Sequence, residues 1–134
     1  WGTLREFRNF KKKYYTIFCD FDGCLVENSS KFASKPWSFK PIFKNLDCIR
    51  NLQQIVNIEL IITTSRPENQ KQKIINFLNK ENIKFKVVIS NLMHAKRILI
   101  NDFASSNPYP SSIAVNIPRN NIELSLILNS IINN

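Results

Sequence analysis

Short runs of apolar residues recur along the chain and mark its predicted strands. They are rich in β-branched and aromatic residues, and most are continuous instead of alternating with polar residues. Continuous runs of this length are typical of strands covered on both faces, as in a parallel sheet. The pattern predicts strands at Tyr14–Cys19, Ile58–Thr63, Phe85–Ser90, Arg97–Asn101 and Ser112–Ile117.

Around these runs, apolar residues repeat at helical spacing. One stripe covers Leu46–Val56, and a second lies in residues 69–81. The last predicted helix, Asn121–Ile132, is apolar over most of its circumference, so we expect it to be largely buried. A shorter helix is predicted within residues 3–13.

The alternation of strands and helices indicates the fold class. Such alternation is typical of βαβ units, which build a parallel sheet with helices packed on it. The sequence therefore predicts a three-layer, Rossmann-like α/β domain over residues 14–134, with a mostly parallel sheet of about five strands. Residues 1–13 are assigned to an N-terminal helix or linker.

Composition narrows the class of protein further. The 134 residues are 43% hydrophobic, which suffices for one domain with a core. No apolar run approaches the roughly 18 residues of a membrane span, so we expect a cytoplasmic protein. The three cysteines lack metal-site spacing, and we expect them to be reduced thiols. The net charge of +9 favours an anionic partner, but the lysines are scattered, which disfavours nucleic acid.

Polar residues collect where the predicted strands end. Asp20 and Asp22 follow the first predicted strand, and the segment "TTSRP" closes the second. Lys96 lies just before the fourth predicted strand, and Asp102 follows that strand. Ligands of parallel α/β sheets bind beyond the carboxyl ends of the strands. We therefore expect these residues to converge on one site.

The convergent residue types suit phosphoryl transfer through an aspartate. A carboxylate can attack phosphorus and form an acyl phosphate that water then hydrolyses. Mg²⁺ bound by carboxylate and carbonyl oxygens would offset the negative charges, and a second carboxylate would move the protons. A lysine and a hydroxyl would hold the phosphoryl oxygens.

The segments "DFDG", "LIITTSRP" and "AKRILIND", in this order, resemble the motifs of the haloacid dehalogenase (HAD) superfamily of aspartate-dependent phosphohydrolases. The resemblance implies that Asp20 is the nucleophile and a Mg²⁺ ligand. It implies that Asp22 is the general acid/base and binds the metal through its main-chain carbonyl. Thr64 would be the phosphate-binding hydroxyl, Lys96 the phosphate-binding cation and Asp102 a further metal ligand.

Several positions leave alternatives open. Thr63 and Ser65 are rivals of Thr64 for the hydroxyl role, and Arg97 is an alternative to Lys96. The sequence also departs from the family at Cys24, where threonine is commonest. The fourth motif of the family often carries two acidic residues, whereas here Asn101 precedes the single acid Asp102. The candidate substrate contacts are Gly23, Ser65, Arg66 and Arg119.

The spacing of the motifs leaves no room for a cap domain. The loop "VENSSKFASKPWSFKP" forms a flap at most, so the predicted site is open and a large substrate, a neighbouring domain or a second copy of the chain would complete it. The opening "WGT" resembles the closing segment of sugar-nucleotide nucleotidyltransferase domains. It implies a HAD domain from a longer protein, fused to or docked on such a domain, in surface polysaccharide synthesis.

Three functions follow as hypotheses. The first is a Mg²⁺-dependent phosphatase that acts on a small phosphorylated sugar or polyol. The second is a non-catalytic module that binds a phosphorylated ligand and supports a fused nucleotidyltransferase. The third, suggested by the positive charge and the open site, is a polynucleotide-end phosphatase.

Overall fold

The computed structural model describes residues 14–106 and 112–132. It contains three strands and three α-helices within these ranges, and the helix predicted for residues 3–13 lies outside them. In chain order the elements are β1 (Tyr14–Asp20), α1 (Phe43–Ile55), β2 (Asn57–Thr63), a 3-10 turn (Glu68–Gln70), α2 (Lys71–Lys80), β3 (Val87–Ile89) and α3 (Leu124–Ile132).

The three strands form one parallel sheet in the order β1-β2-β3. Its register pairs Tyr14 with Asn57 at one end and Asp20 with Thr63 at the other. The carboxyl ends of β1 and β2 therefore lie side by side. The α/β class and the parallel sheet predicted from the sequence are confirmed.

One face of the sheet carries the core. Alternate strand residues pack with the apolar stripes of the helices, because a strand presents every second side chain to the same face. The packed residues include Cys19, Leu60, Ile62 and Val88 from the strands, with Leu46, Ile49, Leu52, Ile74, Leu78, Leu124 and Leu128 from the helices. The predicted stripes of α1 and α2 are confirmed.

The opposite face of the sheet differs from the prediction. Phe18 is 55% exposed, and Val87 and Ile89 are also exposed. Among the described residues, helices cover one face, where the continuous apolar runs had predicted two. The arrangement is that of two layers, since β-branched and aromatic runs do not by themselves show which face is covered.

The prediction of about five strands is wrong for the described residues. Arg97–Asn101 is exposed and irregular. The Arg97 guanidinium donates to the carbonyls of Met93 and Ala95 (both 2.7 Å), beside the bend at residues 94–95. Residues 112–117 are also without strand structure. A strand forms only where a neighbouring strand satisfies its backbone groups, and an apolar run does not reveal whether that neighbour is in place.

The last helix begins later and is less buried than expected. The Asn121 side chain accepts a hydrogen bond from the amide of Glu123 (2.7 Å), and α3 begins at the next residue. Leu124 and Leu128 are buried, but Leu126 is 69% exposed, so one narrow stripe carries the packing. Within the ranges described, no helix combines the length and the apolar character that crossing a membrane requires.

Candidate functional site

A tight turn follows β1 and shapes the site. The amide of Phe21 donates to the Thr63 carbonyl (3.0 Å), which extends the sheet pairing by one residue. The amide of Leu25 then donates to the Phe21 carbonyl (3.0 Å), and the chain reverses. This reversal places the Asp22 side chain against the residues that follow β2.

Gly23 is favoured in this turn by its backbone conformation. Its φ of +85° lies in the left-handed region that side chains disfavour. The Asn120 amide donates to the Gly23 carbonyl (2.9 Å). This bond ties a turn from the C-terminal part of the chain to the loop that carries Asp22, and Arg119 lies beside that loop.

The Asp22 carboxylate is held by two residues of the β2 loop. Nη2 of Arg66 lies 2.7 Å from Oδ1, and Nε donates to the same carboxylate (3.0 Å to Oδ1). The Thr64 hydroxyl donates to Oδ2 (3.1 Å). The Asp22 side chain is only 15% exposed, so the guanidinium offsets the cost of removing its charge from water.

Thr64 is buried and its hydroxyl is engaged on both sides. Besides donating to Asp22, its oxygen accepts a hydrogen bond from the Arg66 amide (3.0 Å). Ser65 is half-buried, and its hydroxyl lies 3.4 Å from Nη2 of Arg97. The geometry therefore assigns Thr64 to positioning Asp22 and leaves Ser65 as the more accessible hydroxyl.

Arg66 is fully buried, although the sequence made it a candidate substrate contact. Its Nη1 donates to the Trp37 carbonyl (2.9 Å) and its Nη2 to the Ser38 carbonyl (2.5 Å). Its guanidinium carbon lies 4.6 Å from the ring centroid of Phe39 and 5.2 Å from that of Phe21. These contacts turn Arg66 towards the protein interior and give it a structural part in the site.

Asp20, the last residue of β1, is exposed, and its carboxylate faces a mixed electrostatic environment. Loss of hydration and then repulsion by Asp22 raise the pKa of Asp20 above its ordinary 3.8. Arg97, the main-chain amide of Phe21 and His94 act in the opposite direction on the pKa of Asp20. The positive charge of Arg97 thus acts on Asp20.

Arg97, the alternative to Lys96, approaches the site. Its guanidinium lies 3.4 Å from the Ser65 hydroxyl and its charge acts on Asp20, and both Lys96 and Arg97 are exposed. The sequence predicted Lys96 as the phosphate-binding cation and Arg97 as its alternative. Arg97 also donates to the carbonyls of Met93 and Ala95 (both 2.7 Å).

The third candidate metal ligand, Asp102, lies in an exposed, irregular part of the chain. Across residues 14–106 and 112–132, no three side chains of the metal-binding types are gathered closely enough to hold an ion. Mg²⁺ is often bound by one or two carboxylates together with water and substrate oxygens. The Asp20 carboxylate and the Asp22 carbonyl are hard oxygen donors of the kind Mg²⁺ prefers.

The cysteines near the site are not nucleophiles at neutral pH. Burial, followed by repulsion from Asp20 and Asp22, raises the pKa of Cys24 to about 11, and burial raises that of Cys19 further. Only the thiolate is reactive, so both groups remain protonated and unreactive.

Asn45 is a site-supporting residue that the sequence analysis missed. Its Nδ2 atom donates to the carbonyls of Cys24 (2.8 Å) and Asn121 (2.7 Å), and the residue is fully buried. It thereby ties α1 to the turn after β1 and to the turn before α3. The sequence feature that could have identified Asn45 is its position beside Leu46 and four residues before Ile49. A polar residue among the buried positions of a helix needs a hydrogen-bond partner.

Comparison of the chain with models of protein families, with curated proteins and with solved structures gave no match. The chemistry assigned to the site therefore rests on its residues and their geometry.

Proposed function

We propose that this chain is a Mg²⁺-dependent phosphatase that hydrolyses a small phosphorylated metabolite, a sugar or polyol phosphate, through an aspartyl-phosphate intermediate. The observation that carries the proposal is the pairing of two differently placed carboxylates. Asp20 is exposed at the end of β1 near Arg97 and His94, whereas Asp22 is held in a fixed orientation by Arg66 and Thr64. One carboxylate is thus available to attack and the other is oriented for proton transfer.

In the proposed reaction, an Asp20 oxygen attacks phosphorus and the bond from phosphorus to the leaving oxygen breaks. In the protonated form that starts the cycle, Asp22 gives its proton to the leaving oxygen and becomes the carboxylate that Arg66 and Thr64 hold. This carboxylate then takes a proton from the water that attacks the acyl phosphate, which restores the protonated form. The Arg97 guanidinium and the Ser65 hydroxyl hold the phosphoryl oxygens, where charge builds up. Phosphate leaves and Asp20 is restored.

A bound Mg²⁺ would offset the negative charges of Asp20 and the phosphoryl group as they approach. The residues that would hold it are Asp20, through its carboxylate, and Asp22, through its main-chain carbonyl. Asp102 remains a proposed further ligand. Mg²⁺ is thus the proposed cofactor. We also propose that the protein is cytoplasmic, that it acts in surface polysaccharide synthesis, and that a nucleotidyltransferase domain is fused to it or docks on it.

A second candidate function is a non-catalytic module that binds a phosphorylated ligand. The observation that favours it is the absence, among the described residues, of a gathered set of three metal-binding side chains. The cations near Asp20 would then hold a phosphate without turnover. A polynucleotide-end phosphatase is supported by the net charge of +9 and by the open site that the motif spacing predicts.

Phosphate release from a panel of sugar, polyol and nucleotide phosphates tests the proposal. Mg²⁺-dependent release by the wild type should disappear in Asp20→Asn, because an amide oxygen does not form the acyl phosphate. Asp22→Asn should lower kcat by about 10²- to 10⁴-fold, the usual effect of losing a general acid/base.

Asp47→Asn is the matched control, since Asp47 is an exposed aspartate that pairs with Arg50 on α1. It should keep wild-type turnover. No release from any compound at saturating Mg²⁺, with measurable binding of a phosphorylated sugar, would support the binding module instead.

A further inference from the structure

The chain between Val26 and Pro41 leaves the site and folds back. Val26 forms an antiparallel bridge with Pro41, and the Glu27 amide donates to the Lys40 carbonyl (2.8 Å). We call residues 27–40 the flap. Its outer part, residues 30–36, is exposed throughout, so the flap is held mainly at its two ends.

The returning arm of the flap rests on Arg66. The carbonyls of Trp37 and Ser38 accept hydrogen bonds from its guanidinium, and the Phe39 ring packs on it. Trp37 has a φ of +56°, a left-handed conformation that bulky residues disfavour. A disfavoured backbone persists only where surrounding contacts enforce it, and the bonds to Arg66 are such contacts.

The same guanidinium holds the Asp22 carboxylate. Arg66 therefore donates in two directions, to the flap through Nη1 and Nη2 and to Asp22 through Nε and Nη2. It is fully buried, so donors that lost these partners would have no water to replace them unless the flap opened. The position of the flap and the orientation of Asp22 are thus linked through one side chain.

Resting on the proposed function, we propose that Arg66 is a positioning residue that couples the flap to Asp22. The carboxylate is oriented for proton transfer while the flap is docked on Arg66, and it loses that orientation when the flap lifts. Conversely, the negative charge of Asp22 helps to keep the guanidinium, and with it the flap, in place. The flap thereby controls the acid/base group without contributing a reacting side chain of its own.

Acrylamide quenching of Trp37 fluorescence tests the coupling without any need for activity. The full chain would carry Trp1→Phe, which leaves Trp37 as the single tryptophan. Asp22→Asn, which removes the charge at nearly constant volume, should raise the quenching constant because the flap docks less firmly. Asp20→Asn is the matched control and should leave it unchanged, since the bonds of the Arg66 guanidinium run to Asp22, Trp37 and Ser38.

The coupling would be overturned if the quenching constant were the same in Asp22→Asn as in the wild type. It would also be overturned if the quenching constant rose equally in Asp22→Asn and in Asp20→Asn. A rise in Asp22→Asn alone supports it. This holds even if no phosphatase activity is found, so failure of the coupling and failure of the proposed function are distinguishable.

A second variant tests the effect on turnover. Arg66→Lys keeps the charge but loses the planar fork that bonds Asp22 and the flap together. It should lower kcat by about 10²-fold, the scale of a misplaced catalytic group, with little change in KM. Arg50→Lys is the control, because Arg50 bonds Asp47 and the Glu81 carbonyl away from the site, and it should keep the wild-type kcat. An unchanged kcat in Arg66→Lys would contradict the positioning role.

Discussion

Asp22 and Arg66 show how single residues determine the chemistry open to this site. Arg66 is fully buried and the Asp22 side chain nearly so, and either charge alone would be costly there. Together they leave Asp22 fixed and Asp20 exposed. Two carboxylates separated by one residue thereby acquire different environments, which is the arrangement that a nucleophile and a proton carrier require.

Asn45 gives a prediction at the same scale. Asn45→Ala should lower the free energy of unfolding by about 2–4 kcal/mol, because the carbonyls of Cys24 and Asn121 would both lose a buried donor. Asn51→Ala, at an exposed position of the same helix, should change it by less than about 0.5 kcal/mol. Urea denaturation of both variants measures the difference. Equal effects would show that the two bonds contribute nothing specific.

The elements bring the site together through the sheet register. Asp20 and Thr63 are paired at the ends of β1 and β2, so the turn after β1 and the loop after β2 must meet. The Thr64 amide donates to the Ile89 carbonyl (3.0 Å), which ties the second loop to β3 as well. The helices contribute the packing that holds these strand ends in place.

The last helix offers a prediction at the scale of an element. Leu128→Ala should lower the free energy of unfolding by about 2 kcal/mol or more, because Leu128 is buried against the core. Leu126→Ala, the same change two residues away on the exposed side, should have an effect below about 0.5 kcal/mol. Thermal unfolding of the two variants provides the comparison, and similar losses would contradict the narrow stripe described for α3.

At the scale of the whole molecule, the sequence predicted the parts that local pattern determines. The strands β1 and β2 and the helices α1 and α2 have clear apolar patterns, and the polar residues at their ends were correctly expected to include neighbours such as Asp22 and Thr64. These features follow from the alternation of strands and helices alone. The α/β class was accordingly predictable.

Features that depend on distant contacts were not predictable in the same way. The burial of Arg66 depends on the flap folding back from more than 25 residues earlier in the chain, and no local pattern signals it. The approach of Arg97 to the Ser65 hydroxyl depends on the path of the chain after β3. The two strands that did not form required a neighbour whose position the apolar run does not specify.

The most direct test of the central claim is detection of a phosphorylated Asp20. The chain would be incubated with acetyl phosphate and Mg²⁺, quenched in acid and treated with borohydride, which reduces an aspartyl phosphate to homoserine. Mass spectrometry of the peptides should find homoserine at position 20 in the wild type and none in Asp20→Asn. Phosphate release with no modification at Asp20, or with modification at another aspartate, would contradict the account.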